Sequence, residues 1–318
     1  MRSVVLGGAQ QWISVAGEAP GKPVLLLVHG GPGAAETPWI HRFLGRLEER
    51  FTVVSWDQRG AGKSWRSLEP RSALTVEQLV ADTVELSQAL AAGAPGERIF
   101  LAGHSFGAAL AAFAAQQCPG VFHALVAVAP LVNTRENDRI SWERAREEAG
   151  RRGEVRARQD LDAAGPPPYT GSGVFDREFL RLICAERFSA EAAGPSPFRQ
   201  EALRVLARAP EYTPEDRGMY WKAYAASFDA LYPQLADLDL EKTVPRLDVP
   251  VHVALGRHDG STIPEIGERW LRGLDAPAKK LVWFERSGHA PAFEEPEKFV
   301  EMLGQMVLHG RGGGSPIG

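Results

Sequence analysis

Short, largely apolar runs recur along the chain, each closed by glycine, proline, aspartate or histidine. They are VLLLV (24–28), FTVVSW (51–56), IFLA (99–102), ALVAVA (124–129), VHVAL (251–255) and KLVWF (280–284). Continuous rather than alternating apolarity predicts strands buried on both faces, as in a parallel sheet covered by helices. Two earlier segments, SVVLGG (3–8) and QWISVAG (11–17), predict an antiparallel pair at the sheet edge. Helical patterns fill the intervals. Residues 75–92 open with Thr75 as N-cap and Gln78 three positions on, a capping-box spacing. Val76, Leu79, Val80, Val84 and Leu90 then fall on or near one face. The alanine-rich stretch 106–117 predicts a helix able to pack closely on a sheet. Strands alternating with helices in this way point to an α/β fold.

The rhythm lapses between residues 133 and 240. That stretch is helical in pattern, rich in arginine and glutamate, and broken at AGPPPYTGSG (164–173) and AAGPSP (192–197). It holds no convincing buried strand, and the strand rhythm resumes at LDVPVHVALG (247–256). An insertion of this length predicts a helical cap or lid over the sheet domain. The expected division is a core of 1–132 and 241–308, a cap of 133–240, and a disordered glycine-rich tail of 309–318.

Composition narrows the partners. The 318 residues carry a formal net charge of −4, and the run ERAREEAGRRGEVRAR interleaves both signs. That is the pattern of a solvated helix face, so no nucleic-acid partner is expected. Cys118 and Cys184 stand far apart with no metal-ligand or disulfide-scaffold spacing, which fits a reducing compartment. The N-terminus lacks a signal-peptide pattern and no apolar run approaches a membrane span, so a cytoplasmic protein is expected.

The most specific signal is Gly103-His104-Ser105-Phe106-Gly107, a G-x-S-x-G placed after a predicted strand and before a predicted helix. That context is what a nucleophile elbow requires, with the helix dipole aimed at the serine. A serine hydroxyl needs a base to take its proton and an acid to orient the base. Asp259, in the loop ALGRHDGS, and His289, in FERSGHAPAF, follow in chain order, each after a predicted strand. Phe106 N–H and Gly31 N–H, the latter in LLLVHGGPGAAE (25–36), are the expected oxyanion donors. His29 and His104 are expected to shape their glycine loops, and Pro32 to follow a cis bond. His252 is expected to be a core residue, and His258 precedes the position that this chain order gives the base.

One stretch raises a different chemistry. DQRGAGKS (57–64) ends like a nucleotide-binding P-loop, but the first glycine of that motif would fall on Asp57, whose carboxylate would repel a phosphate. Taken with HGGPG (29–33), GHSFG (103–107), GRHD (256–259) and SGHAPAFEEPEKF (287–299), it resembles something else. These motifs occur in the order found in capped α/β-hydrolases, and the pairing of HGGPG with DQRGxGxS resembles the proline iminopeptidase group of serine peptidases. The resemblance implies a mostly parallel sheet flanked by helices, an inserted cap, and a Ser105–His289–Asp259 triad. It makes Asp57 and Arg59 structural and calls for no metal or organic cofactor. Its substrates would be small peptides or amides losing an N-terminal residue.

Two departures matter. The group's elbow is typically G-G-S-W-G, whereas Gly-His-Ser is widespread among esterases and lactonases. The group also holds the substrate ammonium with cap glutamates, one of them in a segment like A-R-I-E-N-H-Y-F. Here RLICAERF (181–188) puts Cys184 in the glutamate's place and Glu186 two positions on. Two positions are about 200° around a helix, so Glu186 is expected to face elsewhere unless the helix shifts. Glu143 is a second carboxylate able to serve, and Trp221 and Tyr224 are candidate pocket walls. A carboxylic-ester or lactone hydrolase with the same triad therefore stays open. A non-catalytic binding protein of the same fold is disfavoured by three intact triad candidates. The oligomeric state is left open.

Overall fold

The computed structural model describes residues 1–69, 74–171 and 173–310. The chain opens with β1 (Arg2–Leu6), β2 (Ala9–Ala16) and β3 (Val24–Val28), followed by α1 (Thr37–Phe43) and β4 (Thr52–Asp57). Next come α2 (Val76–Ala91), β5 (Ile99–His104), α3 (Phe106–Gln117) and β6 (Phe122–Val128). Five helices then run without a strand: α4 (Thr134–Arg151), α5 (Val155–Ala164), α6 (Val174–Ala193), α7 (Pro197–Ala207) and α8 (Pro214–Leu235). The chain closes with α9 (Leu240–Thr243), β7 (Val251–Gly256), α10 (Pro264–Gly273), β8 (Lys279–Phe284), α11 (Pro291–Glu294) and α12 (Pro296–Gly310).

The strands form one sheet of order β1-β2-β4-β3-β5-β6-β7-β8. β1 and β2 pair antiparallel, as does β2 with β4, and every other pair is parallel. Each apolar run forms its expected strand, shifted by no more than two residues at either end. Burial explains the unbroken apolarity. Leu26 and Val28 of β3 pack with Leu79, Ala108 and Trp270 on one face, while Leu25 and Leu27 pack with Leu47, Phe299 and Leu303 on the other. Helix α2 starts as expected, with Thr75 Oγ1 accepting from Gln78 N at 3.0 Å. The capping box stays half-made, because the Gln78 side chain donates to Asp82 Oδ1 instead. At the other end, α12 continues into the first two residues of the expected tail, because the glycine-rich run begins only at Gly310. Residues 311–318 lie outside the described residues.

The chain places β4 on one side of β3 and β5 on the other. A crevice opens where such a strand order reverses, outside the carboxyl ends of the strands. Helices α4–α8 lie beside that edge. The stretch leaves and returns through a narrow neck: Asn133 bridges Asp239, and Leu240 N donates to Val132 O at 2.8 Å. DQRGAGKS ties this segment to the sheet. Asp57 accepts from Thr37 Oγ1 and Lys63 N, Arg59 forms a buried pair with Asp82, and Lys63 Nζ reaches Asp216 of α8 at 3.0 Å. The lysine that would have met a phosphate is thus engaged by a carboxylate.

Candidate active site

Ser105 sits between β5 and α3 at φ 57° and ψ −121°, left-handed backbone that a non-glycine residue seldom adopts. The flanking glycines permit it by close approach. A Cβ on Gly103 would lie 2.2 Å from Gly107 O, and one on Gly107 would lie 2.3 Å from Val28 O. The elbow is held by Ser105 N donating to Val128 O at 2.9 Å and Leu131 N donating to Ser105 O at 3.1 Å.

The sheet brings the other two residues to this point. His289 follows β8, with Nε2 3.1 Å from Ser105 Oγ and Nδ1 3.0 Å from Asp259 Oδ2. Asp259 follows β7 and is buried. Its Oδ1 accepts from Ser261 N and Thr262 N, and its Oδ2 also accepts from Thr262 Oγ1 at 2.7 Å. These donors hold the carboxylate in one orientation toward the imidazole. Burial alone would lower the His289 pKa; the charge and hydrogen bond of Asp259 outweigh it, Glu186 and Glu36 add to the effect, and it rises to about 9.

Gly31 has φ 113°, a conformation suited to glycine, and the Gly31–Pro32 peptide is cis as expected. Neither Gly31 N nor Phe106 N has a hydrogen-bond acceptor among the described residues, and Phe106 N–H is one of the orphan donors at the start of α3. The loop is set by His29. Its Nδ1 donates to Gly30 O and its Nε2 accepts from Gln58 N, which is the neutral tautomer, and burial lowers its pKa in the same sense.

Above Ser105 lies a cavity of about 640 Å³, walled by this edge of the sheet and by α6, α7 and α8. Its walls are chiefly aromatic and aliphatic, and Trp221 and Tyr224 are among them as expected, with Phe179 and Phe228. Glu186 is there too, because α6 turns Cys184 into a cluster with Ala145, Ala149 and Phe188 and so turns Glu186 toward the cavity. The 200° that seemed to count against Glu186 is what delivers it. Its side chain is exposed, and it has no hydrogen bond or ion pair among the described residues. Partial desolvation at the cavity wall raises its pKa above the usual range, opposed by the charge of His289 and supported by Asp259 and Glu294, while its exposed surface keeps the effect modest.

Glu143 is a correction. It accepts twice from Arg139 Nη1, one turn back along α4, and does not line the cavity. The i, i+4 spacing makes that surface pair and aims the side chain outward. Sequence reasoning passed over Glu36, buried beside His104, and Thr262, which steadies Asp259. Thr262 had a local signal, three positions after an aspartate in a Gly-Ser turn. Glu36 had none. Among the described residues no group of three or more His, Cys, Asp or Glu could hold a metal ion, and no helix is long and apolar enough to cross a membrane.

This geometry has known relatives. A "Probable aminopeptidase YbaC" of Bacillus subtilis (strain 168) is 27% identical over 312 residues, covering 97% of this chain and 96% of its own. The crystal structure of a proline iminopeptidase of Mycobacterium smegmatis superposes with a TM-score of 0.67 at 23% identity, covering 98% of both chains. An enol-lactonase of Burkholderia xenovorans LB400 superposes at 0.61 with 17% identity, over 96% of this chain and 100% of its own. Those structures share the fold with this chain. Residues 25–302 match the alpha/beta hydrolase family, and the chain belongs to it.

Proposed function

We propose that this hydrolase works through an acyl-enzyme on Ser105 and releases N-terminal residues from small peptides or amides. Ser105 Oγ attacks the scissile carbonyl carbon as its proton passes to His289 Nε2. Asp259 holds Nδ1–H and balances the imidazolium. The Gly31 and Phe106 N–H groups receive the oxyanion, aided by the dipole of α3. His289 then gives its proton to the leaving amine, and a water it deprotonates cleaves the ester. Residues 133–240 act as the cap on a core formed by 1–132 and 241–308. Trp221 and Tyr224 wall the substrate side chain.

One observation carries the peptidase reading: Glu186, an unpaired carboxylate facing a largely apolar cavity and electrostatically linked to His289. Its side chain is solvent-accessible at the cavity wall and lacks an ion pair, so a substrate ammonium entering the cavity would supply the partner. A carboxylic-ester or lactone hydrolase is the second reading, favoured by the apolar cavity walls, which would serve it without Glu186. Initial rates on prolyl and other aminoacyl p-nitroanilides, their N-acetyl forms, and p-nitrophenyl esters separate the two. Turnover of free-amine anilides that is lost on acetylation supports the aminopeptidase; ester turnover alone overturns it.

The pH dependence follows from the same charges. His289 accepts a proton only when neutral, so kcat/KM on esters is expected to rise with pH through about 9. An ammonium bound at Glu186 cancels that carboxylate's field and adds a like charge near the imidazole; both favour neutral His289. The rising limb of kcat should therefore lie at lower pH for free-amine substrates than for esters. Profiles between about pH 6 and 10 on both substrate types check this. Superimposed limbs would remove Glu186 from the amine site.

A further inference from the structure

His104 occupies the elbow position at which this chain departs from the proline iminopeptidase pattern, and it is not idle. Its Nε2 lies 2.7 Å from the backbone carbonyl of His289, and its Nδ1 lies 2.6 Å from Glu36 Oε1. The two imidazoles lie 4.9 Å apart, centre to centre. A carbonyl oxygen only accepts, so Nε2 must carry a hydrogen. Nδ1 and the Glu36 carboxyl then share one more proton across a short, charge-assisted contact. Glu36 is 6% exposed, and this is the hydrogen bond its side chain makes among the described residues.

We propose that Glu36 and His104 are positioning residues that brace the main chain at His289 and so hold its Nε2 within reach of Ser105. The His289 side chain is steered at one end by Asp259 and Thr262, but its backbone lies in the loop after β8. His104 adjoins Ser105 in sequence, so its hydrogen bond ties the loop bearing the base to the residue next to the nucleophile. Glu36 anchors the far side of the His104 ring from the loop after β3. The brace thus joins the loop after β3, the carboxyl end of β5 and the loop after β8. It rests on Ser105 and His289 being the reacting pair and is independent of the substrate's identity.

The test compares wild type with His104→Ala, His104→Gln and Glu36→Gln by the rate at which a small alkyl fluorophosphonate labels Ser105, and by kcat and KM on the best substrate. Loss of alignment at this scale is expected to cost about 10–100-fold in labelling rate and kcat for His104→Ala, with KM little changed. A glutamine amide can donate to the same carbonyl, so His104→Gln should recover most of that loss. Glu36→Gln keeps a weaker hydrogen bond to Nδ1 and should fall between. Equal labelling of His104→Ala and wild type overturns the brace, as does a defect confined to KM. A glutamine variant as impaired as the alanine one, at unchanged Tm, also overturns it. A wild type that the reagent does not label at all overturns the reacting pair itself, which the first outcome does not.

Discussion

Replacing Ser105 by alanine is expected to lower turnover by about 10⁵–10⁶-fold on every substrate the enzyme accepts, with folding intact. The loss is large because no neighbouring group can substitute. Among the described residues, Ser105 Oγ is the nucleophilic atom that His289 Nε2 reaches, at 3.1 Å. The residual rate would come from the oxyanion donors and from binding, which still favour attack by water. Alanine also relieves no strain, since the backbone at φ 57° is set by the elbow and not by the hydroxyl. Circular dichroism and Tm should match wild type while burst and steady-state phases vanish together. A variant that kept wild-type rates would move the chemistry away from this serine.

Asp259→Asn is expected to cost about 10⁴-fold in kcat with little change in KM. In wild type the carboxylate accepts from Ser261 N, Thr262 N and Thr262 Oγ1 as well as from His289 Nδ1. An asparagine keeps its carbonyl oxygen on those backbone donors and turns its amide toward His289. Donor then faces donor. The imidazole escapes by moving its proton to Nε2, where it points at Ser105 and cannot accept from it. The same change removes the carboxylate that chiefly holds the His289 pKa up at about 9, so the remaining activity should show its rising limb at lower pH. A drop of less than tenfold would mean that Asp259 is not the orienting acid.

The sheet was legible because its strands are buried on both faces, which writes continuous apolar runs into the chain. The elbow was legible because its geometry excludes a side chain at Gly103 and Gly107. Asp259 and His289 were found through chain order. What was not legible depends on helix rotation and on contacts across the fold. Glu186 and Glu143 look equivalent as cap carboxylates, yet one turns into the cavity because Cys184 packs away from it, and the other pairs with Arg139 outside. Gln78 has a capping-box spacing but finds Asp82 instead. Glu36 lies far from His104 in sequence, so only the folded loops show that the two meet.

The measurement closest to the central claim is the ratio of kcat/KM for a free-amine aminoacyl anilide to that for its N-acetyl form, in wild type and in Glu186→Gln. Removing the charge that meets the substrate ammonium is expected to lower this ratio by about 10-fold or more, with ester turnover and Ser105 labelling retained. If the ratio is unchanged in Glu186→Gln, the carboxylate does not hold the substrate's amine, and the aminopeptidase reading fails.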